Sequence, residues 1–357
     1  MMFRLPTRSR FPLLLVLAVL CGRPLGGAGR ATPFMRGMTV STQTWGQEWG
    51  WPHMRQTLDE LSGLGTNWIA IHPYAWISDN GALRFGESDD PGHLLRAMAW
   101  ARERDIQVLI IPHIGYWGTR FSWRGEIDFP DVAGWNRFYA DYEGWIVRMA
   151  EIAQQGGAGL FCLGLEYDIA QQHESRWRAL IAAVRKAYRG PLTYGAQHDK
   201  VGDIAFWDAL DYIGVQAYFP LTRAVNPSEA ELRRAWDARI PELRTLSRRT
   251  GKPLVFTEIG YNASARAAMA PWEYTGGGAN AEEIRARCLA AAFDLEARFP
   301  ELAGMFFWKW FPRVEGEPRE NFDMRDPGPL RLLRERWSRE IPGARRDAEV
   351  SYSTSTQ

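Results

Sequence analysis

The chain has 357 residues, enough for two average domains or for one β/α barrel of about 250 residues with extensions. Its 43 Lys and Arg against 42 Asp and Glu leave a formal net charge of +1, which argues against a polyanionic partner such as nucleic acid and against an acidic tail. The unusual count is 17 Trp beside 12 Tyr and 17 Phe in a chain of negative mean hydropathy, so some of these rings are expected to face a cleft.

In chain order the first feature is a targeting pattern. Arg4, Arg8 and Arg10 precede the apolar run Phe11 to Leu20, and the small-residue stretch GGAGRA follows. Ten apolar residues are too few to span a bilayer, so residues 1–28 are expected to be a cleaved signal peptide, with a retained membrane anchor as the alternative. The protein is thus expected to be secreted or periplasmic, without stable membrane insertion once the signal is removed. Cys21 has Leu20 before it where lipidation needs a small residue. The remaining Cys162 and Cys288 give no disulfide framework.

Eight short apolar runs then alternate with longer amphipathic stretches, the pattern of a (β/α)8 TIM barrel. The predicted strands are 36–42, 66–73, 106–114, 159–166, 191–197, 211–218, 253–260 and 303–310. Apolar residues recurring at three and four predict helices over Trp135 to Gln155 and Glu282 to Phe299. Asp203 to Leu210 offers barely two turns for the fifth helix. Residues 29–343 are expected to form one catalytic domain, and 344–357, which lack periodicity, a disordered tail.

In such a barrel, reacting groups sit where the strands end and the eight following loops converge. Strand alternation in PLVFTEIG puts Leu254, Phe256 and Glu258 on one face; in GLFCLGLE it puts Leu160, Cys162, Gly164 and Glu166 together. Two glutamates therefore end the fourth and seventh strands. A single strand-end carboxylate commonly does no more than pair with a loop arginine. Two of them among aromatic rings suit glycoside hydrolysis, in which one carboxyl group protonates the leaving oxygen and the other attacks the anomeric carbon.

The motifs TNWIAIHPYAW, IIPHI, WRGEI, GLEYD, FWDALDYIGVQAYFPL, PLVFTEIGY and FFWKW, in this order and spacing, are similar to glycoside hydrolase family 113, retaining enzymes of β-mannanase type among the clan A barrels. The resemblance implies double displacement on a β-linked glycan, β-mannan or a related one, with Glu258 as nucleophile and Glu166 as acid and then base. It also implies that Tyr218 bonds the nucleophile. One departure stands out: clan A barrels usually have a polar residue, often Asn, before the acid/base, and this chain has Leu165.

The expected partner is an oligo- or polysaccharide, with no cofactor. Trp308 is expected to floor the reacting sugar, with Trp310 on the same strand face as its rival. His72, His113, Gln197 and Gln216 near strand ends are expected to bind sugar hydroxyls, and Tyr74 and Trp123 complete the substrate-binding set. Trp45, Trp76 and Trp117 are further loop candidates. His72, His113 and His198 could instead hold a metal, but the first strand lacks the His-x-His pair of metal-dependent amidohydrolase barrels. A barrel that binds glycans without cleaving them is the main alternative, and Leu165 is its best support.

Overall fold

The structure, a computed structural model, describes residues 33–85, 90–312 and 321–338. The expected signal peptide and C-terminal tail lie outside them. Eight parallel strands close a barrel in sequential order: β1 (Met35–Val40), β2 (Trp68–Ile71), β3 (Gln107–Ile110), β4 (Leu160–Leu165), β5 (Leu192–Gln197), β6 (Ile213–Gln216), β7 (Leu254–Ile259) and β8 (Leu302–Trp310). All eight predicted strands are present.

Around them stand α1 (Pro52–Gly63), α2 (Gly92–Arg102), α3 (Val132–Gly156), α4 (Glu174–Ala187), α5 (Glu229–Thr250), α6 (Ala281–Phe293), α7 (Leu295–Arg298) and α8 (Pro327–Arg336). Local chemistry fixes several starts. The Asp131 side chain accepts from the Gly134 N–H at 2.7 Å and caps α3, and Ser228 with Glu231 forms a capping box on α5. Between β5 and β6 the sequence is too short for an α-helix and makes two single 3-10 turns, Val201–Asp203 and Trp207–Ala209. The helix expected over 282–299 is broken at Asp294 into α6 and α7.

The barrel interior is filled by a cluster drawn from the strands and from Ile111 just after β3: Met35, Ala70, Leu109, Ile111, Leu160, Cys162, Leu165, Val255 and Phe306. A Cβ on Gly37 would lie 2.3 Å from the Phe306 ring, so only glycine lets that ring cross the barrel. Leu254 and Phe256 belong instead to the core between barrel and helices, where Phe256 stacks on Trp236 of α5. This corrects the alternation expected for β7: Val255 faces inward.

Strand periodicity breaks at three strand ends. Register shifts fall between Cys162 and Leu165 in β4, between Phe256 and Glu258 in β7, and opposite the Thr39/Val40 step of β1, between Trp308 and Trp310 of β8. An added residue at such a bulge turns the following side chains to the other face. In β4 it brings Leu165 inward, and Gly164, where a Cβ would lie 2.7 Å from Trp177 of α4, faces the helices. In β8 it separates the two tryptophans: Trp310 enters the outer core and Trp308 does not.

The loops after β2 and β3 pair as a small sheet of Tyr74–Ile77, His113–Gly115 and Leu83–Arg84, with Tyr74 beside His113 in register. Far from the barrel mouth in sequence, α6 is tied to the start of α8 by Arg285. Its side chain is 1% exposed; it donates to Asp326 at 2.6 Å and to the Asp323 carbonyl at 2.8 Å. Removing one partner of a buried pair strands the other charge, at a cost of about 3–5 kcal/mol. Asp326→Ala should therefore lower the unfolding free energy in urea by about 3 kcal/mol, and a change below about 0.5 kcal/mol would show that the pair adds nothing.

Candidate active site

Glu166 follows β4 immediately, with φ of 55°, a left-handed conformation rare for a residue with a side chain. Such strain of about 1 kcal/mol persists only where the surroundings impose it. Here the Glu166 N–H donates to the Gly195 carbonyl at 2.8 Å, and the Tyr167 N–H donates to the Tyr194 hydroxyl at 3.0 Å. The Tyr142 hydroxyl donates to the Leu163 carbonyl at 2.8 Å. Trp177 stacks on Tyr167 and lies edge-on to Tyr194, so an aromatic layer outside the barrel holds the bent strand end.

Glu166 and Glu258 open into one cleft of about 1070 Å³ at the C-terminal end of the barrel. Glu258 is 7% exposed and accepts from the Tyr218 hydroxyl at 2.9 Å. His113 Nε2 faces its other oxygen at 3.6 Å. Glu166 Oε2 lies 3.5 Å from Nη1 of Arg124, a side chain 13% exposed.

Burial raises the pKa of both glutamates. Glu258 is pushed up to about 8, by burial first and by repulsion from Glu166 second, while Arg124, Tyr218 and Gln216 act to lower it. Burial raises Glu166 too, with Arg124 opposing. Two such groups share a proton near neutrality, as like charges in one poorly hydrated site do. The Arg124 guanidinium stands beside Glu166 and opposes its rise. Burial lowers His72 to about 3 and His113 well below its ordinary value, so both imidazoles are neutral.

Of the residues expected to bind substrate, Tyr74, His113, Trp123, Gln197, Tyr218 and Trp308 line the cleft. His72 and Gln216 do not. His72 lies beneath, stacked on His113 with centroids 4.9 Å apart and its Nε2 3.2 Å from the Ser41 hydroxyl. Gln216 is fully buried, opposite Glu258 in register, and its amide makes no hydrogen bond of ordinary geometry. Trp308 packs with Tyr218 and Phe322 and lies nearly parallel to His113.

Leu165 is fully buried in the barrel, where a Cβ on Gly195 would lie 2.7 Å from its Cδ1. The residue that departs from the clan pattern therefore does not line the cleft. Trp117 lines one flank and is 51% exposed, backed by Trp45 and Trp76, which are outside the cleft. The opposite flank carries Trp272, 49% exposed and stacked on His198. His198 thus stands with Trp272 and Phe219, apart from the stacked His72 and His113. Among the described residues no group of three His, Cys, Asp or Glu side chains could hold a metal ion.

Sequence reasoning missed Arg124, Asp168, Asp199, Tyr116 and Tyr274 as cleft residues. Arg124 stands inside the quoted WRGEI motif, but no periodicity marks a loop arginine as buried. Asp168 is raised to about 7 by burial and by Asp199 and Glu166. Its place two residues after Glu166 was the available signal.

Comparison with known proteins decides the family. The profile of Glycoside Hydrolase Family 113 matches residues 38–324. The chain belongs to Glycoside Hydrolase Family 113. Among solved structures, a complex of a GH113 β-1,4-mannanase superposes with a TM-score of 0.75 at 20% identity, covering 86% of this chain and 100% of that one. The GH113 β-mannanase AaManA of Alicyclobacillus acidocaldarius, in complex with ManMIm, gives 0.73 at 26% identity over 86% and 98%. A β-glucuronidase of Ruminococcus gnavus shares the fold alone, at 15% identity and a TM-score of 0.58, over 85% of this chain and 50% of that one. No curated protein sequence matches the chain.

The raised Glu258 pKa has a consequence for stability. A carboxyl group raised on folding binds more protons in the folded than in the unfolded state between about pH 4.5 and 8, so its presence lowers stability as pH rises through that window. Glu258→Gln should therefore gain on wild type in urea unfolding between pH 5 and pH 8 by ~2 kcal/mol. A difference independent of pH would mean that Glu258 is not raised.

Proposed function

We propose that this GH113 member cleaves a β-linked glycan by double displacement, with Glu258 as nucleophile and Glu166 as acid and then base, and that its preferred substrate is a β-mannan or a closely related glycan. The observation that carries this reading is the pair of buried carboxyl groups, on β7 and just after β4, that open into one aromatic-lined cleft, both raised by burial and Glu258 further by Glu166. The β-mannanases among its structural relatives support the sugar class.

In the first step the Glu258 carboxylate attacks the anomeric carbon while Glu166 gives its proton to the leaving glycosidic oxygen. Substrate entry supplies the conditions for moving the shared proton onto Glu166. The glycosidic oxygen offers that proton an acceptor, and the positive charge growing at the anomeric carbon favours an ionised Glu258. Tyr218 donates to the same carboxylate and steadies it before attack. Trp308 offers an indole face to the cleft, and neutral His113 stands beside Glu258 at the cleft wall.

The non-catalytic alternative rested on Leu165, and that side chain is buried in the barrel, away from the cleft. The N-terminal segment supports export, with secretion or a periplasmic location as the proposed outcome.

Azide separates the two glutamates by product. In Glu166→Ala an activated aryl glycoside still forms the glycosyl-enzyme, and azide, which needs no base, should capture it as a glycosyl azide of the substrate's anomeric configuration. In Glu258→Ala azide should enter the vacated space and give the inverted azide. Inverted product from Glu166→Ala, or unchanged rates in both variants, would overturn the assignment.

A further inference from the structure

Arg124 is the one permanent cation among the described residues that line the cleft, and its position beside Glu166 is chemically awkward. A guanidinium favours the ionised form of a neighbouring carboxyl group, which opposes the work of an acid. Its backbone is firmly held. The turn Arg124–Glu126 is closed by the Glu126 carboxylate, which accepts from the Ser122 N–H at 2.9 Å and the Ser122 hydroxyl at 2.8 Å. The Ile169 N–H donates to the Gly125 carbonyl at 3.3 Å, which ties this turn directly to the loop that carries Glu166.

We propose that Arg124 is a positioning residue for the second half of the reaction: it keeps Glu166 ionised once the glycosyl-enzyme has formed, so that Glu166 can act as base. The proposal rests on the double-displacement reading above.

The charges change between the steps in a way that gives the guanidinium its use. Before reaction, burial raises the tendency of Glu166 to hold a proton, repulsion from Glu258 adds to it once substrate has left Glu258 ionised, and Arg124 opposes both. In the first step the Glu258–C1 bond forms, the C1–oxygen bond breaks, and the Glu166 proton leaves with the departing oxygen. Glu258 is then a neutral ester. The repulsion is gone, Arg124 remains, and Glu166 is left as a carboxylate beside a cation. In the second step a water oxygen bonds to C1, its proton passes to Glu166, and the C1–Glu258 bond breaks to return the Glu258 carboxylate.

The other groups that face Glu166 do not supply this effect. Tyr218 and Tyr167 are raised by burial and stay neutral. Asp168 bears on Glu166 with the opposite sign, as a carboxyl group raised to about 7 by burial, by Asp199 and by Glu166 itself. Arg124 keeps its own charge because the carboxyl groups, Glu166 foremost and Glu258 beside it, offset the cost of its burial.

The test uses the intact enzyme and 2,4-dinitrophenyl β-mannobioside, whose leaving group departs without acid help, so that the second step is exposed. Stopped-flow traces between pH 4 and 8 would be compared for wild type, Arg124→Gln and Arg124→Lys. Arg124→Gln should release one dinitrophenolate per site in a burst within about threefold of the wild-type first step, then turn over roughly tenfold more slowly near pH 5. The acidic limb of kcat should move up by about one pH unit. Arg124→Lys should restore the limb.

If burst and steady state slow together in Arg124→Gln and the limb stays in place, the proposal is overturned. Should Arg124→Gln fail to fold, Arg124→Lys decides alone: a wild-type limb supports the role of the charge, and a limb shifted as far as that expected for Gln overturns it. If wild type and Glu258→Ala release dinitrophenolate at the same rate, the hydrolase reading itself fails and takes this proposal with it.

Discussion

Two carboxyl groups with little access to water, in one cleft, set the terms for the rest of this barrel. Like charges in one poorly hydrated cleft repel, so the pair is tolerable only with a shared proton and compensating neighbours. The neighbours are specific: Tyr218 donates to Glu258, and Arg124 stands against Glu166. Neutral His113 fills the remaining side of Glu258 without adding charge. Tyr218 follows β6, while His113 and Arg124 both come from the segment between β3 and α3, so the closed barrel is needed to bring them to the two glutamates.

Delivering the carboxyl groups to that point requires the strands to depart from their own geometry. A regular β4 or β7 would alternate through to its last residue, but bulges in both strands reset the alternation just before the glutamates. Glu166 adds a left-handed backbone, held by hydrogen bonds from its own N–H and that of Tyr167 and by the aromatic layer around Trp177. The strain is placed where the chemistry is, and a stiff helical shell behind it makes the placement permanent. Leu165 and Gly195 belong to the same arrangement, since the leucine packs into space that any side chain at 195 would take.

What the sequence made legible follows from this division. Regular strands announce themselves by their apolar runs, and all eight were readable, as were the two glutamates at strand ends and the tyrosine beside the seventh strand. Alternation failed at the bulges: it put Phe256 on the same face as Glu258 and Trp308 on the same face as Trp310, because a one-residue insertion leaves no mark in a single sequence. His72 and Gln216 were read as substrate contacts because they end strands; both are buried outside the cleft lining, His72 stacked on His113 and Gln216 paired in register with Glu258. Arg124 was invisible for a different reason. It sits in the three-residue turn Arg124–Glu126 between β3 and α3, and a single turn carries no periodic signal.

The central claim is that Glu258 becomes bonded to the sugar. A 2-deoxy-2-fluoro-β-mannobiosyl fluoride forms the glycosyl-enzyme and slows its hydrolysis enough to be isolated, so proteolysis and mass spectrometry of the inactivated protein can locate the bond. The account predicts one sugar per chain, attached to Glu258 within Lys252–Ala263. A label on Glu166, or an active enzyme that never forms a covalent adduct, would contradict it.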